Sequence, residues 1–104
     1  MFWLALDDVD TDNGCMHFIP GKHLEPLLPH HVASGAPDDP SRLLAIDDPR
    51  SMLDLSSAIA CPLTAGGATM HSAGTPHYTS GNRTTDRPRR AYIFNFSRPG
   101  ADAA

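Results

Sequence analysis

RRAYIFNFS, residues 89–97, is the stretch whose reading decides the fold. Basic residues lead into a run rich in aromatic and β-branched side chains, the composition of a strand. Successive strand side chains point to opposite faces. Arg89, Ala91, Ile93 and Asn95 therefore share one face, with Arg90, Tyr92, Phe94 and Phe96 on the other. Small Ala91 leaves room on the Arg89 face, while aromatics fill the opposite one. Working backward, the loop GNRTTDRP (81–88) joins this strand to TPHYTS (75–80), where His77 and Thr79 face one way and Tyr78 the other. TAGGATMHS (64–72) sets a glycine pair ahead of another strand, and SAIACPL (57–63) is one more.

The opposite end has the same texture. FWLAL (2–6) reads as a short strand buried on both faces, and CMHFIP (15–20) as a strand stopped by Pro20-Gly21. Between them DVDTDNG (8–14) is dense turn chemistry, and Asn13-Gly14 tolerates the positive φ of a tight connection. The two strands are predicted to form a first hairpin. Residues 21–50 turn polar and proline-rich, with a helical turn predicted at 24–28. Loops of this length commonly act as a lid or substrate wall. RPGADAA (98–104) reads as a frayed tail. Five or six strands with almost no helix predict an antiparallel all-β module. That is fewer strands than a closed jelly roll needs, which leaves FWLAL with an unpaired edge open to self-association.

At 104 residues the chain is one domain with a modest core. Ten prolines and eight glycines suit short strands and long loops. A net charge of −4 supplies no general attraction to nucleic acid or anionic membranes. Charge is unevenly placed: Asp7, Asp8, Asp10 and Asp12 cluster early, whereas five of the eight basic residues lie from Arg83 onward. Cys15 and Cys61 sit in apolar settings and read as free buried thiols. MFWLALDDVD lacks the basic region and length of a signal peptide, and no stretch approaches a membrane span, so a cytoplasmic location is expected.

If the strands pair with His77 and Arg89 facing inward, one cavity holds an imidazole, a hydroxyl and a guanidinium. Such a set suits a metal plus a carboxylate ligand, which a guanidinium fork grips in two parallel hydrogen bonds. The plain alternative is a polar hairpin in which Arg87, Arg89 and Arg90 are solvated charges blunting an edge strand. Spacing leaves both open.

WLALDDVDTDNGCMHFIPGKH (3–23), followed by LTAGGATMHSAGTPHYTSGNRTTDRPRRAYIFNF (63–96), resembles the phytanoyl-CoA dioxygenase family of Fe(II)/2-oxoglutarate-dependent oxygenases. The ordered set Trp-x-Ala-Leu-Asp-Asp, Asn-Gly-Cys, Pro-Gly-x-His, His and Arg-Arg-Ala-Tyr carries the likeness over roughly residues 2–97. The resemblance implies a double-stranded β-helix, or jelly roll. It also implies iron held by two histidines and a carboxylate, with 2-oxoglutarate and O₂ used to hydroxylate a small organic or acyl substrate. His77 then matches the distal iron histidine and Arg89 the arginine that binds the far carboxylate of 2-oxoglutarate. Thr79 matches a hydroxyl that helps hold that carboxylate, and Trp3 a tryptophan close to the cosubstrate. Asn82 matches an asparagine of the loop, where a turn-shaping role is an equal alternative. A one-residue slip would exchange Arg89 with Arg90; Arg89 is preferred because the family's arginine immediately precedes the basic-Ala pair.

The family's His-x-Asp motif lies before the tryptophan-bearing strand and is absent from this sequence. Residues 1–97 are therefore expected to be the C-terminal portion of the oxygenase domain, incomplete at the N-terminus, with 21–56 as its variable loop and no tight iron binding alone. His23-Leu24-Glu25 has the His-x-carboxylate spacing but falls in the wrong loop. His71 is read as packing near the site, Asp7 and Asp8 as shaping a hairpin, and His17, His30 and His31 as solvated. The competing reading is a non-catalytic β-module that folds by pairing its open edge with a partner or another copy.

Overall fold

Burial alternates along β1 (Phe2–Ala5): Trp3 and Ala5 are buried, Phe2 and Leu4 half-buried. In the computed structural model, which describes residues 1–38 and 43–99, this strand lies at the centre of an antiparallel sheet. It pairs with β6 (Ala68–Met70) on one side and β8 (Ala91–Phe94) on the other. Trp3 stands opposite Thr69 and Ile93, and Ala5 opposite Ala91, so the face predicted to carry Arg89, Ala91 and Ile93 is the Trp3 face. Phe2, Leu4, Met70, Tyr92 and Phe94 share the other. FWLAL is thus not an unpaired edge. Both of its sides are hydrogen-bonded, by segments more than sixty residues along the chain.

A second sheet has β2 (Met16–Phe18) between β5 (Ile59–Cys61) and β7 (His77–Tyr78). The predicted hairpin of 2–6 with 15–20 is therefore wrong, because β1 and β2 lie in different sheets. The segment between them crosses from one sheet to the other. Cys15 and Gly14 donate their N–H groups to the Asp10 carbonyl, and Val9 bridges to Leu63. Asn13, fully buried, accepts from the Asp10 N–H and donates to the carbonyls of Asp8 and Pro88. The Asn-Gly chemistry shapes this crossing instead of a two-residue turn.

Past β5 the chain alternates between sheets, β6 in the first, β7 in the second and β8 in the first. This is the winding of a double-stranded β-helix, the jelly-roll class expected from the sequence. Trp3 and Ala5 from one sheet pack with Val9, Cys15 and Met16, and Phe18, Ala60, Leu63 and Ala91 close the cluster. Fully burying a side chain the size of Val9 or Met16 contributes roughly 1.5–3 kcal/mol. Both cysteines are free, Cys15 buried and Cys61 half-buried, and burial pushes the Cys15 thiol above its ordinary value.

Residues 21–56 hold more structure than predicted. A hairpin of β3 (His30–Ser34) and β4 (Leu43–Ile46) is followed by the single turn α1 (Pro49–Met52) and a 3-10 turn at Leu55–Ser57. The helical turn predicted at 24–28 is instead a tight turn in which Glu25 donates its N–H to the Lys22 carbonyl. No helix among the described residues is long and apolar enough to cross a membrane. Beyond Pro99 the predicted tail lies outside the described residues.

Candidate cosubstrate and metal site

The early aspartates and late arginines meet along one seam. Arg90 donates its backbone N–H and Nε to Asp7 Oδ2 at 2.7 and 3.0 Å, and Nη2 to Oδ1 at 2.8 Å. These bonds hold the Asp7 carboxyl down at about 2. Arg87 Nη1 donates to both oxygens of Asp10 at 3.1–3.2 Å, and Arg83 lies 3.9 Å from Asp12. The Asp12 N–H is the largest cause, ahead of Arg87, of a lowered pKa at Asp10. Asp8 accepts from the Ala65 N–H at 2.8 Å. The expected hairpin-shaping role of Asp7 and Asp8 is not what their side chains do: they tie the end of β1 to Arg90 and Ala65.

Arg89 meets no carboxylate among the described residues. Strand parity turns it to the inner face, where its Cζ lies 5.3 Å from the centre of the buried Trp3 ring. Its Nε donates to the Gly14 carbonyl at 2.9 Å. Thr79 Oγ1 donates to the same carbonyl at 3.0 Å and accepts from the Gly81 N–H at 3.1 Å. Gly14 is therefore the hub on which the arginine and the hydroxyl converge. Its φ is +102°, and an added Cβ would lie 3.0 Å from the Gly81 backbone. Sequence reading missed this role, although Asn-Gly marked the position. With Nε occupied, the two terminal nitrogens of Arg89 form a fork beside a π-surface with no hydrogen-bond partner among the described residues, an arrangement suited to a carboxylate.

His77 is exposed at the end of β7, and its Nδ1 lies 2.8 Å from the Thr75 carbonyl. An Nδ1–H donated to a carbonyl leaves Nε2 as the ligating nitrogen, the usual state of a metal-bound imidazole. Among the described residues no three His, Cys, Asp or Glu side chains gather as a metal site. Among the described residues His77 is thus a lone candidate for one corner of the expected iron triad.

His71 enters the site more closely than its sequence position suggested. Its ring centre is 4.7 Å from that of His77 and 4.8 Å from that of Phe18. Both of its ring nitrogens are buried without a hydrogen-bond partner. Burial, helped by His77 and the N-terminal ammonium, lowers its pKa to about 4. The available signal was parity: Thr69 opposes Trp3, and His71 two residues later keeps that face. His17 is not solvated as predicted. It stacks on Tyr78 at 4.7 Å with Nδ1 buried, because β7 lies directly beside β2.

Asn82 takes the turn-shaping role. Its Oδ1 accepts from the Thr84 N–H at 2.9 Å, and its Nδ2 donates to the Arg87 carbonyl at 2.6 Å. His23 and Glu25 are exposed, with Glu25 paired to Lys22 at 3.3 Å. His30 and His31 stand on the exposed hairpin, bonded to the Leu28 carbonyl and Asp47. That hairpin and α1 close a cavity of about 350 Å³ against β7. Ile19, Leu27, Leu44, Ile46, Met52 and Leu53 make its wall apolar, and His77 is among its lining residues.

Comparison with known proteins identifies the family and the fold. Residues 1–91 match the family model for phytanoyl-CoA dioxygenase. The chain is 30% identical over 93 residues to phytanoyl-CoA dioxygenase domain-containing protein 1 of Bos taurus, covering 89% of this chain and 31% of that protein. The Caenorhabditis briggsae homolog is 29% identical over 99 residues, covering 89% and 32%. The chain thus spans about a third of the length of the curated relatives it matches. Among solved structures it is similar to EvdO2 from Micromonospora carbonacea var. aurantiaca, with a TM-score of 0.70 and 47% identity over 86% of this chain and 34% of that one. EvdO2 has also been solved in complex with 2-oxoglutarate, and that structure superimposes with a TM-score of 0.69.

Proposed function

Because the chain belongs to the phytanoyl-CoA dioxygenase family, we propose that it carries the distal half of the active site of an Fe(II)/2-oxoglutarate-dependent dioxygenase. The reaction is hydroxylation of a small organic or acyl substrate, with 2-oxoglutarate and O₂ consumed. The Arg89 fork grips the far carboxylate of 2-oxoglutarate, the Thr79 hydroxyl steadies it, and Trp3 forms the apolar floor beneath. His77 offers Nε2 to the metal. When bound, iron couples oxidative decarboxylation of 2-oxoglutarate to oxidation of the substrate, and the protein's part is to bind and orient. Residues 1–97 act as one portion of the oxygenase domain, and segment 21–56 walls the apolar cavity that receives the substrate.

The observation that carries this reading is Arg89. Of the four arginines between residues 83 and 90, it is the one turned inward without an acidic partner among the described residues. The likeness to EvdO2, which binds 2-oxoglutarate, supports the same ligand here. Trp3 is the single tryptophan, so its emission reports on this site. Titration with 2-oxoglutarate is expected to change Trp3 fluorescence saturably. A charge-assisted hydrogen bond is worth about 1.5–3 kcal/mol, so Arg89→Ala is expected to weaken binding roughly tenfold to hundredfold. Arg90→Ala is expected to leave it unchanged. Equal affinity in wild type and Arg89→Ala would remove Arg89 from the cosubstrate site.

A further inference from the structure

Segment 21–56 carries six large apolar side chains that stand exposed among the described residues. Four of them, Leu27, Leu44, Met52 and Leu55, line the cavity beside β7. Apolar groups that converge on one concavity, instead of scattering over the surface, mark a ligand wall. At about 30 Å³ for each water-sized group, the cavity of about 350 Å³ has room for roughly a dozen such groups. Its charged lining residues among those described, Lys22 and Glu25, are paired with each other at 3.3 Å, so the wall offers no net charge. His30 stands on the hairpin wall opposite β7, in register with Ile46 and so on the same face as Leu44. Its Nδ1 lies 2.6 Å from the Leu28 carbonyl oxygen, which can only accept. The neutral ring therefore keeps its proton on Nδ1 and presents Nε2 as an acceptor. Other polar groups of the wall are committed: Thr75 Oγ1 is shared with Ser72 at 3.1 Å, and the Tyr78 ring is stacked on His17.

We propose that this cavity takes an uncharged aliphatic alcohol of about ten carbons, whose hydroxyl donates to His30 Nε2 while its hydrocarbon lies along Leu44 and Met52 toward His77. His30 is then a specificity-determining residue, because an acceptor at that point selects a ligand that brings an O–H. The assignment names a substrate class for the oxygenase reading and rests on that reading only for what happens at His77.

The probe is n-decanol, added to the full chain labelled with ¹³C at its methionine methyls. Met52 lines the cavity, Met16 lies in the core, and Met1 and Met70 stand outside the cavity. Saturable movement of the Met52 resonance alone is expected, while an unmoved Met16 resonance reports an intact fold in each variant. Nonyl methyl ether matches the alcohol in heavy atoms but has no O–H to donate. A neutral hydrogen bond changes affinity roughly two- to tenfold, so the alcohol is expected to bind that much more tightly than the ether. His30→Phe should erase this preference, and His30→Gln, whose amide oxygen accepts, should keep it. Decanoate brings a charge that the wall does not match and should bind more weakly than the alcohol. Equal binding of alcohol and ether, or a preference that survives His30→Phe, overturns the role of His30. Decanoate binding as tightly as decanol overturns the uncharged class, and a Met52 resonance unmoved by all three overturns the aliphatic site. Decanol that shifts Met52 while 2-oxoglutarate leaves Trp3 fluorescence unchanged supports the ligand class and overturns the oxygenase reading.

Discussion

Adjacent arginines meet different chemistry here because strand parity sends Arg89 and Arg90 to opposite faces. Arg90 spends its fork on Asp7, whose carboxyl sits at about 2 against an ordinary 3.8. A carboxylate with a depressed folded-state pKa binds fewer protons when folded than when unfolded. Its stabilisation is therefore complete above the ordinary value and drains away as pH falls from about 3.8 through about 2. Thermal melts of wild type and Asp7→Asn are expected to differ at neutral pH, wild type being the more stable, and to converge as pH falls through about 2. A gap that stays constant across this range would show that the pair acts through shape alone. The outward engagement of Arg90 is also what sequence could not supply. Parity made Arg89 and Arg90 opposite, but only the position of Asp7 says which faces out. His77, Thr79 and Arg89 were singled out only through the family resemblance, since spacing alone left a plain polar hairpin open. The burial of His71 and His17 was not legible, since it depends on Phe18 and Tyr78 arriving from neighbouring strands.

The crossing between β1 and β2 shows the same limit at the scale of an element. Asn13-Gly14 has hairpin chemistry, and nothing within the segment reveals that the Asn13 amide reaches the Pro88 carbonyl. The strands themselves were legible as short apolar runs, whereas their partners were set by contacts across the chain. Gly14 ties this element to the site, because its carbonyl holds both Arg89 and Thr79. Gly14→Ala places a Cβ against the Gly81 backbone at a φ of +102°. Strain of this kind costs about 1–3 kcal/mol, and relieving it would move the carbonyl. The urea midpoint is expected to fall, and the Arg89-dependent response of Trp3 to 2-oxoglutarate to weaken with it. Gly21→Ala is the control: its φ is also positive, at +81°, but a Cβ there meets nothing within 4 Å. If both variants lose equal stability and both keep the response, the close approach at Gly14 has no part in building the site.

Over the whole molecule, pairing is almost wholly non-local. β1 waits for strands that begin at residues 68 and 91, and β2 for strands that begin at 59 and 77. Among the described residues only the β3–β4 hairpin joins neighbours in sequence, and it lies outside the two main sheets. Chains of this topology must close long loops before the resulting contacts stabilise them, which places all-β folding on a timescale of roughly milliseconds to seconds. Trp3 is a direct reporter because it is 3% exposed, packed with Val9, Cys15 and Met16 and flanked in its sheet by β6 and β8. Refolding from urea is therefore expected to bury Trp3 in one slow phase, in step with the far-ultraviolet strand signal. Destabilising β8, for example by Ile93→Gly, should speed unfolding and lower stability while leaving the β3–β4 hairpin outside the affected sheet. A microsecond phase that buries Trp3 before strand signal develops would mean that β1 finds a local cover first, and that the order of assembly does not follow the sheet topology.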